Sequence, residues 1–272
     1  MEYNSEEEFL KAYDSSSYEK LSMTTDILLF SVSDIYQENY RKTNEKSMSI
    51  LLVKRNTYPF MNKWCVPGGF LDIKEDLEDC PKRILAEETN LHDIYMEQLY
   101  TFGAVHRDPR MRIVSTAYMA LIDKNNLKDE LAENACWFNI NYQENGTNVE
   151  LKLTNNDTEI SVKAQKILIE GTTQRYAYKI VENQDIAFDH AEVLLTGLER
   201  LRNKVEYTDI VFNMMPNQFT LGELQKVYEV ILGKSLLMPA FRRIIANKVK
   251  KTGEIQGGGG HRPSQLFEYN RK

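Results

Sequence analysis

Short apolar runs alternate with polar spacers along the first two-thirds of the chain. Residues 25–32 (TDILLFSV) and 48–54 (MSILLVK) are apolar and rich in strand formers, and both predict strands. The polar stretch 33–46 between them predicts a loop. Residues 55–64 lead to Gly68-Gly69, which predicts a turn where backbone can approach a ligand closely. A helix is expected over about 76–89; Pro81 either kinks it or marks a late start near Asp79. Further strands are expected at 97–105 and 113–122. After a polar stretch (123–133), strands are expected at 135–140, 149–153, 159–169 and 173–181, split by Asn-rich turns such as Asn145-Gly146 and Asn155-Asn156.

The period then changes to that of helices. Residues 187–205 predict one, with Leu194, Leu195, Leu198, Leu201 and Val205 as its apolar face. Asp189 is a candidate N-cap with Glu192 three residues on; alternatively Asp189 and His190 belong to a site. Thr220 and Glu223 form a capping box for a helix whose face is Leu221, Leu224, Val227, Tyr228, Ile231 and Leu232, ended by Gly233. A second helix is expected near Pro239, with Phe241, Ile244 and Ile245 inward. Residues 253–269 predict a β-hairpin with a glycine run at its tip and His261-Arg262-Pro263 beside it. Two short helices and a hairpin form the layout of a winged helix-turn-helix; a small helical cap with a solvated basic face is the alternative.

Charge sharpens that division. The 272 residues carry a net charge of −6, yet from Glu206 onward there are ten Lys or Arg against six Asp or Glu, so the body is acidic and the tail basic. A basic tail fits a polyanionic partner. Cys65, Cys80 and Cys136 are far apart, without a C-x-x-C pair, which points to a reducing cytoplasm rather than disulfides or zinc. No signal peptide or membrane span is expected.

The candidate chemistry lies in residues 68–91. Gly69-x5-Glu75-x7-Arg83-Ile84-Leu85-Ala86-Glu87-Glu88-Thr89-Asn90-Leu91 puts residues 84, 87 and 88 on one helical face. Paired carboxylates there suit a hard divalent cation such as Mg2+ bridging protein to a pyrophosphate. The alternative is a solvated acidic face. The spacing resembles the signature of the Nudix hydrolase family, G-x5-E-x7-R-E-U-x-E-E-x-G-U. That resemblance implies an α/β/α sandwich, with Glu75, Glu87 and Glu88 as metal ligands and Glu87 and Glu88 as catalytic groups if the site is active. Ile84 replaces a Glu that in the family binds metal or helps activate water, and Asn90 replaces a Gly. Arg83 is expected to pair with Glu75 and order the site.

The whole chain resembles the NrtR family of transcriptional regulators, a Nudix domain joined to a C-terminal winged helix. Pro59-Phe60, Trp64-x-x-Pro67-Gly68-Gly69-Phe70, Arg107-Asp108-Pro109-Arg110, Ala187-Phe188-Asp189-His190, Phe219-Thr220-Leu221, Phe241-Arg242-Arg243 and His261-Arg262-Pro263 carry the likeness in order. It implies a Nudix domain over 1–206 and a winged-helix domain over 207–272. By that likeness Arg55, Gly69, Arg107, Arg110 and Arg112 line a pocket for ADP-ribose or a related nucleotide, the arginine forks suiting pyrophosphate oxygens. Arg242 and Arg243 would enter the major groove of double-stranded DNA, and Lys248, Lys250, Lys251 and Arg262 would contact phosphates of a palindromic site bound by a homodimer. The competing reading is a Mg2+-dependent hydrolase of ADP-ribose or another nucleoside diphosphate derivative.

Overall fold

A computed structural model describes residues 5–35, 45–124, 127, 130–171, 176–257 and 263–271. A short helix, α1 (Glu6–Ala12), is capped by Ser5 and precedes the first strand. Strands β1 (Ser22–Ile35), β2 (Glu45–Lys54), β3 (Trp64–Cys65) and β4 (Gly68–Phe70) lead into α2 (Cys80–Thr89). Then come β5 (Glu97–Phe102), β6 (Ile113–Ile122), β7 (Ala135–Asn145), β8 (Asn148–Thr154), β9 (Glu159–Leu168) and β10 (Tyr176–Asn183). All ten strands form one sheet in the order β10-β9-β8-β7-β2-β1-β6-β5, with β3 on β2 and β4 on β1. The β1–β6 pair is parallel and the others are antiparallel.

Alternation along β1 divides the core. Leu28, Phe30 and Val32 join one apolar cluster with Ile50, Leu52 and α3 (His190–Tyr207). Ile27 and Leu29 join another with Leu51, Val53 and the inward side of α2. The sheet is therefore covered on both faces. β8 and β9 extend the α3 side with Val149, Leu151, Leu153, Ile160 and Val162, while Glu150, Lys152 and Lys163 point the other way.

The expected late start of the box helix is what the chain adopts. Asp79 is the N-cap residue of α2 and Pro81 lies in its first turn, where the missing N–H has no intrahelical partner to lose. Asn90 ends α2 in the left-handed conformation (φ 62°), as its short polar side chain allows. The expected Gly68-Gly69 turn is instead strand β4, paired with Thr24–Asp26 of β1. Close approach explains the glycines. A Cβ on Gly68 would lie 2.7 Å from Asp26 Oδ1, and one on Gly69 would lie 2.3 Å from Ile84 Cδ1.

A 3-10 turn (Ile210–Met214) leads from α3 to β11 (Phe219–Thr220), α4 (Leu221–Leu232), α5 (Met238–Ile245), β12 (Val249–Gln256) and β13 (Ser264–Tyr269). The capping box forms, with Thr220 Oγ1 accepting from Glu223 N–H and Glu223 accepting from Thr220 N–H. The three short strands order as β11-β13-β12 behind α4 and α5, a winged helix-turn-helix. Phe241 and Ile245 are buried against Tyr228 and its neighbours, but Ile244 is 60% exposed, contrary to the inward position predicted for it. An eight-residue helix buries one narrow stripe, and residue 244 lies off it. The hairpin begins at Val249, so Lys250 and Lys251 are strand residues. Among the described residues no helix is long and apolar enough to cross a membrane.

Candidate functional site

The pocket opens where β1, β3 and β4 meet α2 and the start of α3. Thr24, Asp26, Arg55, Cys65, Val66, Gly68, Gly69, Phe70, Glu88, Arg107, Asp108, Arg110, Phe188 and His190 line it. Of the five predicted ligand-binding residues, Arg55, Gly69, Arg107 and Arg110 are brought together there. Arg112 is not among the lining residues; its Nη1 donates to Ala104 O at 3.0 Å.

The arginines are held in different ways. Arg55 Nε donates to Pro59 O at 2.8 Å, and its guanidinium lies 4.8 Å from the centre of the Phe188 ring. Arg110 is clamped by Asp108 through two bonds, at 3.0 and 2.8 Å, and lies 5.3 Å from the Phe70 ring and 5.6 Å from the Phe188 ring. Arg107 has a side chain only 5% exposed. It donates through Nε and Nη2 to both oxygens of Asp189 (2.8 Å each) and through Nη2 to Asp26 Oδ2 at 3.0 Å. Burial disfavours its charge, but Asp26 and Asp189 outweigh burial and its pKa is raised.

Asp189 occupies the N-cap position of α3 yet makes no side-chain cap bond. The predicted capping role is corrected: a two-point ion pair to a buried arginine outcompetes a single bond to a backbone N–H. His190 is buried beside it. Its Nδ1 accepts from Val66 N–H at 3.2 Å, and its Nε2 lies 3.6 Å from Asp26 Oδ1. Burial lowers the His190 pKa, with Asp26 and Asp189 only partly opposing, so the ring is neutral at pH 7. Phe188 has φ 52°, rare for a bulky side chain, and its ring also meets Phe60 edge-on at 4.7 Å. Asp26 and Phe188 were missed by sequence reasoning. Asp26 had a signal: it is the one charged residue in the apolar run 25–32.

The three box carboxylates are held in different ways. Glu75 accepts two bonds from Arg83, at 2.7 and 2.8 Å, as predicted, which holds its pKa down at about 2. Glu87 takes Arg83 Nη1 at 3.1 Å. Only Glu88 of the three lines the pocket; burial raises its pKa while nearby Arg55 opposes. Ile84, 5% exposed, packs against Gly69 inside the apolar cluster on the α2 side. Among the described residues no group of three or more His, Cys, Asp or Glu is placed to hold a metal ion.

The predicted DNA-contacting residues separate too. Arg242 and Arg243 are exposed on α5, and Lys251 is exposed on β12. Lys248 is drawn inward to Asp209 Oδ1 at 2.8 Å and Thr208 O at 3.1 Å, and Lys250 pairs with Glu268 at 2.8 Å across the hairpin. Arg262 lies outside the described residues.

A sandwich with this box helix, joined through α3 to a winged helix, defines a Nudix-type domain carrying a DNA-binding type of module. The comparisons agree. Residues 40–153 match the NUDIX domain and residues 211–269 the NrtR DNA-binding winged helix domain. Nudix domains generally use a divalent metal. The chain is 32% identical, over 98% of its length and 89% of the relative, to the ADPR responsive transcriptional repressor NtrR of Acinetobacter baylyi. Among solved structures it resembles a MutT/nudix family protein from Enterococcus faecalis (TM-score 0.71, 25% identity, 98% of this chain and 94% of that one). It also resembles Shewanella oneidensis NrtR complexed with a 27mer DNA (TM-score 0.63, 28% identity, 91% and 93%). The chain belongs to the NrtR family.

Proposed function

We propose that this protein is a DNA-binding transcriptional regulator whose Nudix pocket senses ADP-ribose or a closely related nucleoside diphosphate sugar. The observation that carries this reading is the joint presence of an arginine-lined pocket and a winged helix with an exposed Arg242-Arg243 pair on α5. Arg55 and Arg110 offer guanidinium charge to a pyrophosphate, Gly69 lets the ligand approach the backbone, and Glu88 accepts from ligand hydroxyl or amino groups. Arg107 shapes the pocket floor from within its ion-pair cluster. Ile84 stands where the family has a Glu, and Glu75, Glu87 and Glu88 are the residues that would hold a Mg2+ ion in this reduced set. Glu87 and Glu88 would be the catalytic groups if the site is active.

Residues 1–206 form the sensing domain and 207–272 the reader. Arg242, Arg243 and Lys251 meet the duplex from the exposed side of the winged helix, and Arg262 contacts phosphate. Lys248 and Lys250, each also paired to a carboxylate, contact phosphates beside them. A homodimer in the cytoplasm, with one reader per half-site, is the form that suits a palindromic operator. Gel-shift of the full chain against its own upstream DNA, with and without ADP-ribose, tests the reading. A shift that responds to ADP-ribose is expected; no shift at low salt contradicts it, since basic groups on a reader should bind most tightly there.

A further inference from the structure

The ligand pocket and the reader are joined by one helix, and the pocket holds that helix by its first residues. Asp189 does not line the pocket, yet its carboxylate is committed to Arg107, which does. The residue before it, Phe188, lies under the guanidiniums of Arg55 and Arg110 in a left-handed backbone conformation. The residue after it, His190, hydrogen-bonds Val66 and faces Asp26. Three arginines that line the pocket thus contact the two residues that immediately precede α3.

The other end of α3 is equally committed. Its 18 residues span about 27 Å at 1.5 Å per residue. Arg202 Nε donates to Ile231 O near the end of α4 at 3.0 Å. Leu201 and Val205 are buried in the same apolar cluster as Leu224, Val227 and Ile231 of α4. Glu206 accepts from Lys234 at 3.2 Å, just beyond Gly233.

The geometry points to Asp189 as a positioning residue that couples the pocket to the reader, with Arg107 as the switch between them. This rests on the proposed function and assigns its transmission route. An anionic ligand in the pocket competes with Asp189 for the Arg107 guanidinium and draws Arg55 and Arg110 away from the Phe188 ring. The start of α3 is then released or shifted, and the rigid helix carries that displacement to α4 through Arg202. Coupling of this kind is reciprocal: DNA must alter ligand affinity by the same factor by which ligand alters DNA affinity.

The test uses the full chain, its own upstream DNA and ADP-ribose. DNA affinity is read by fluorescence anisotropy and ligand affinity by calorimetry, each with and without the other partner. In the unaltered protein both ratios are expected to be equal, on the order of tenfold. Asp189→Asn should still bind DNA and ADP-ribose, while both ratios collapse to within about twofold of unity. Arg202→Met, far from the pocket, should do the same with ligand affinity of the free protein unchanged; it carries the test alone if Asp189→Asn does not fold. A full ligand response in either folded variant overturns the coupling and leaves the proposed function standing. No ligand response in the unaltered protein overturns the proposed function, and the coupling with it.

Discussion

α2 and α3 cover opposite faces of the sheet, and both reach the same pocket, α2 through Glu88 and α3 through His190. Their charged groups are used differently. On α2, Arg83 gathers Glu75 and Glu87 into a half-exposed cluster that fastens the preceding loop, and Ile84 is absorbed into the core. At the start of α3, Asp189 and His190 are sunk into a cluster with Asp26 and Arg107, and the far end of the helix is bonded to the reader. One helix keeps the frame of the Nudix motif with Ile84 in place of a Glu. The other ties the pocket to a second domain. A motif read along the sequence reports on the first arrangement and is blind to the second.

The contrast predicts the largest energetic effect at the α3 cluster. Arg107→Ala leaves Asp26 and Asp189 as uncompensated buried charges and should cost about 3–5 kcal/mol of stability, measured by urea unfolding. A loss below about 1 kcal/mol, the range of surface pairs, would show that the cluster is hydrated and not structural. At α2 the expected effect is smaller. Ile84→Glu places a carboxylate in an apolar position against Gly69 and should cost about 1–3 kcal/mol. Millimolar Mg2+ should recover part of this loss in the variant and leave the unaltered protein unchanged, as read by thermal melting. Equal Mg2+ stabilisation of both proteins would mean that a working metal set survives without residue 84.

The smallest effect concerns pH. Arg83 holds Glu75 at a pKa of about 2, below its ordinary 4.5. The tie therefore contributes fully above pH 4.5 and is lost as pH falls from there toward 2. Glu75→Gln should remove that part of the acid limb; an unchanged acid transition would place the lost stability elsewhere.

Much of this was legible in sequence because it rests on local patterns. The apolar run at 48–54, the Thr220–Glu223 box and the Gly233 stop are each fixed within a few residues, and each appears where expected. The Arg83–Glu75 pair was legible because the motif spacing dictates it. What failed depended on partners distant in sequence. Asp189 matched a local cap rule, but its actual partner is 82 residues away. Gly68 and Gly69 were read as a turn, because nothing local reveals that β1 and α2 press against them. Ile244 was assigned inward on spacing alone, although a helix this short has only one covered stripe. The ion pairs of Lys248 with Asp209 and of Lys250 with Glu268 were not legible either, because those carboxylates are distant in sequence.

The most direct measurement follows one sample containing the full chain, labelled upstream DNA and ADP-ribose in Mg2+ buffer, reading DNA occupancy and nucleotide integrity together. The account predicts that DNA occupancy changes while the ADP-ribose remains whole. Steady release of AMP and ribose 5-phosphate, with DNA occupancy unmoved, would contradict it.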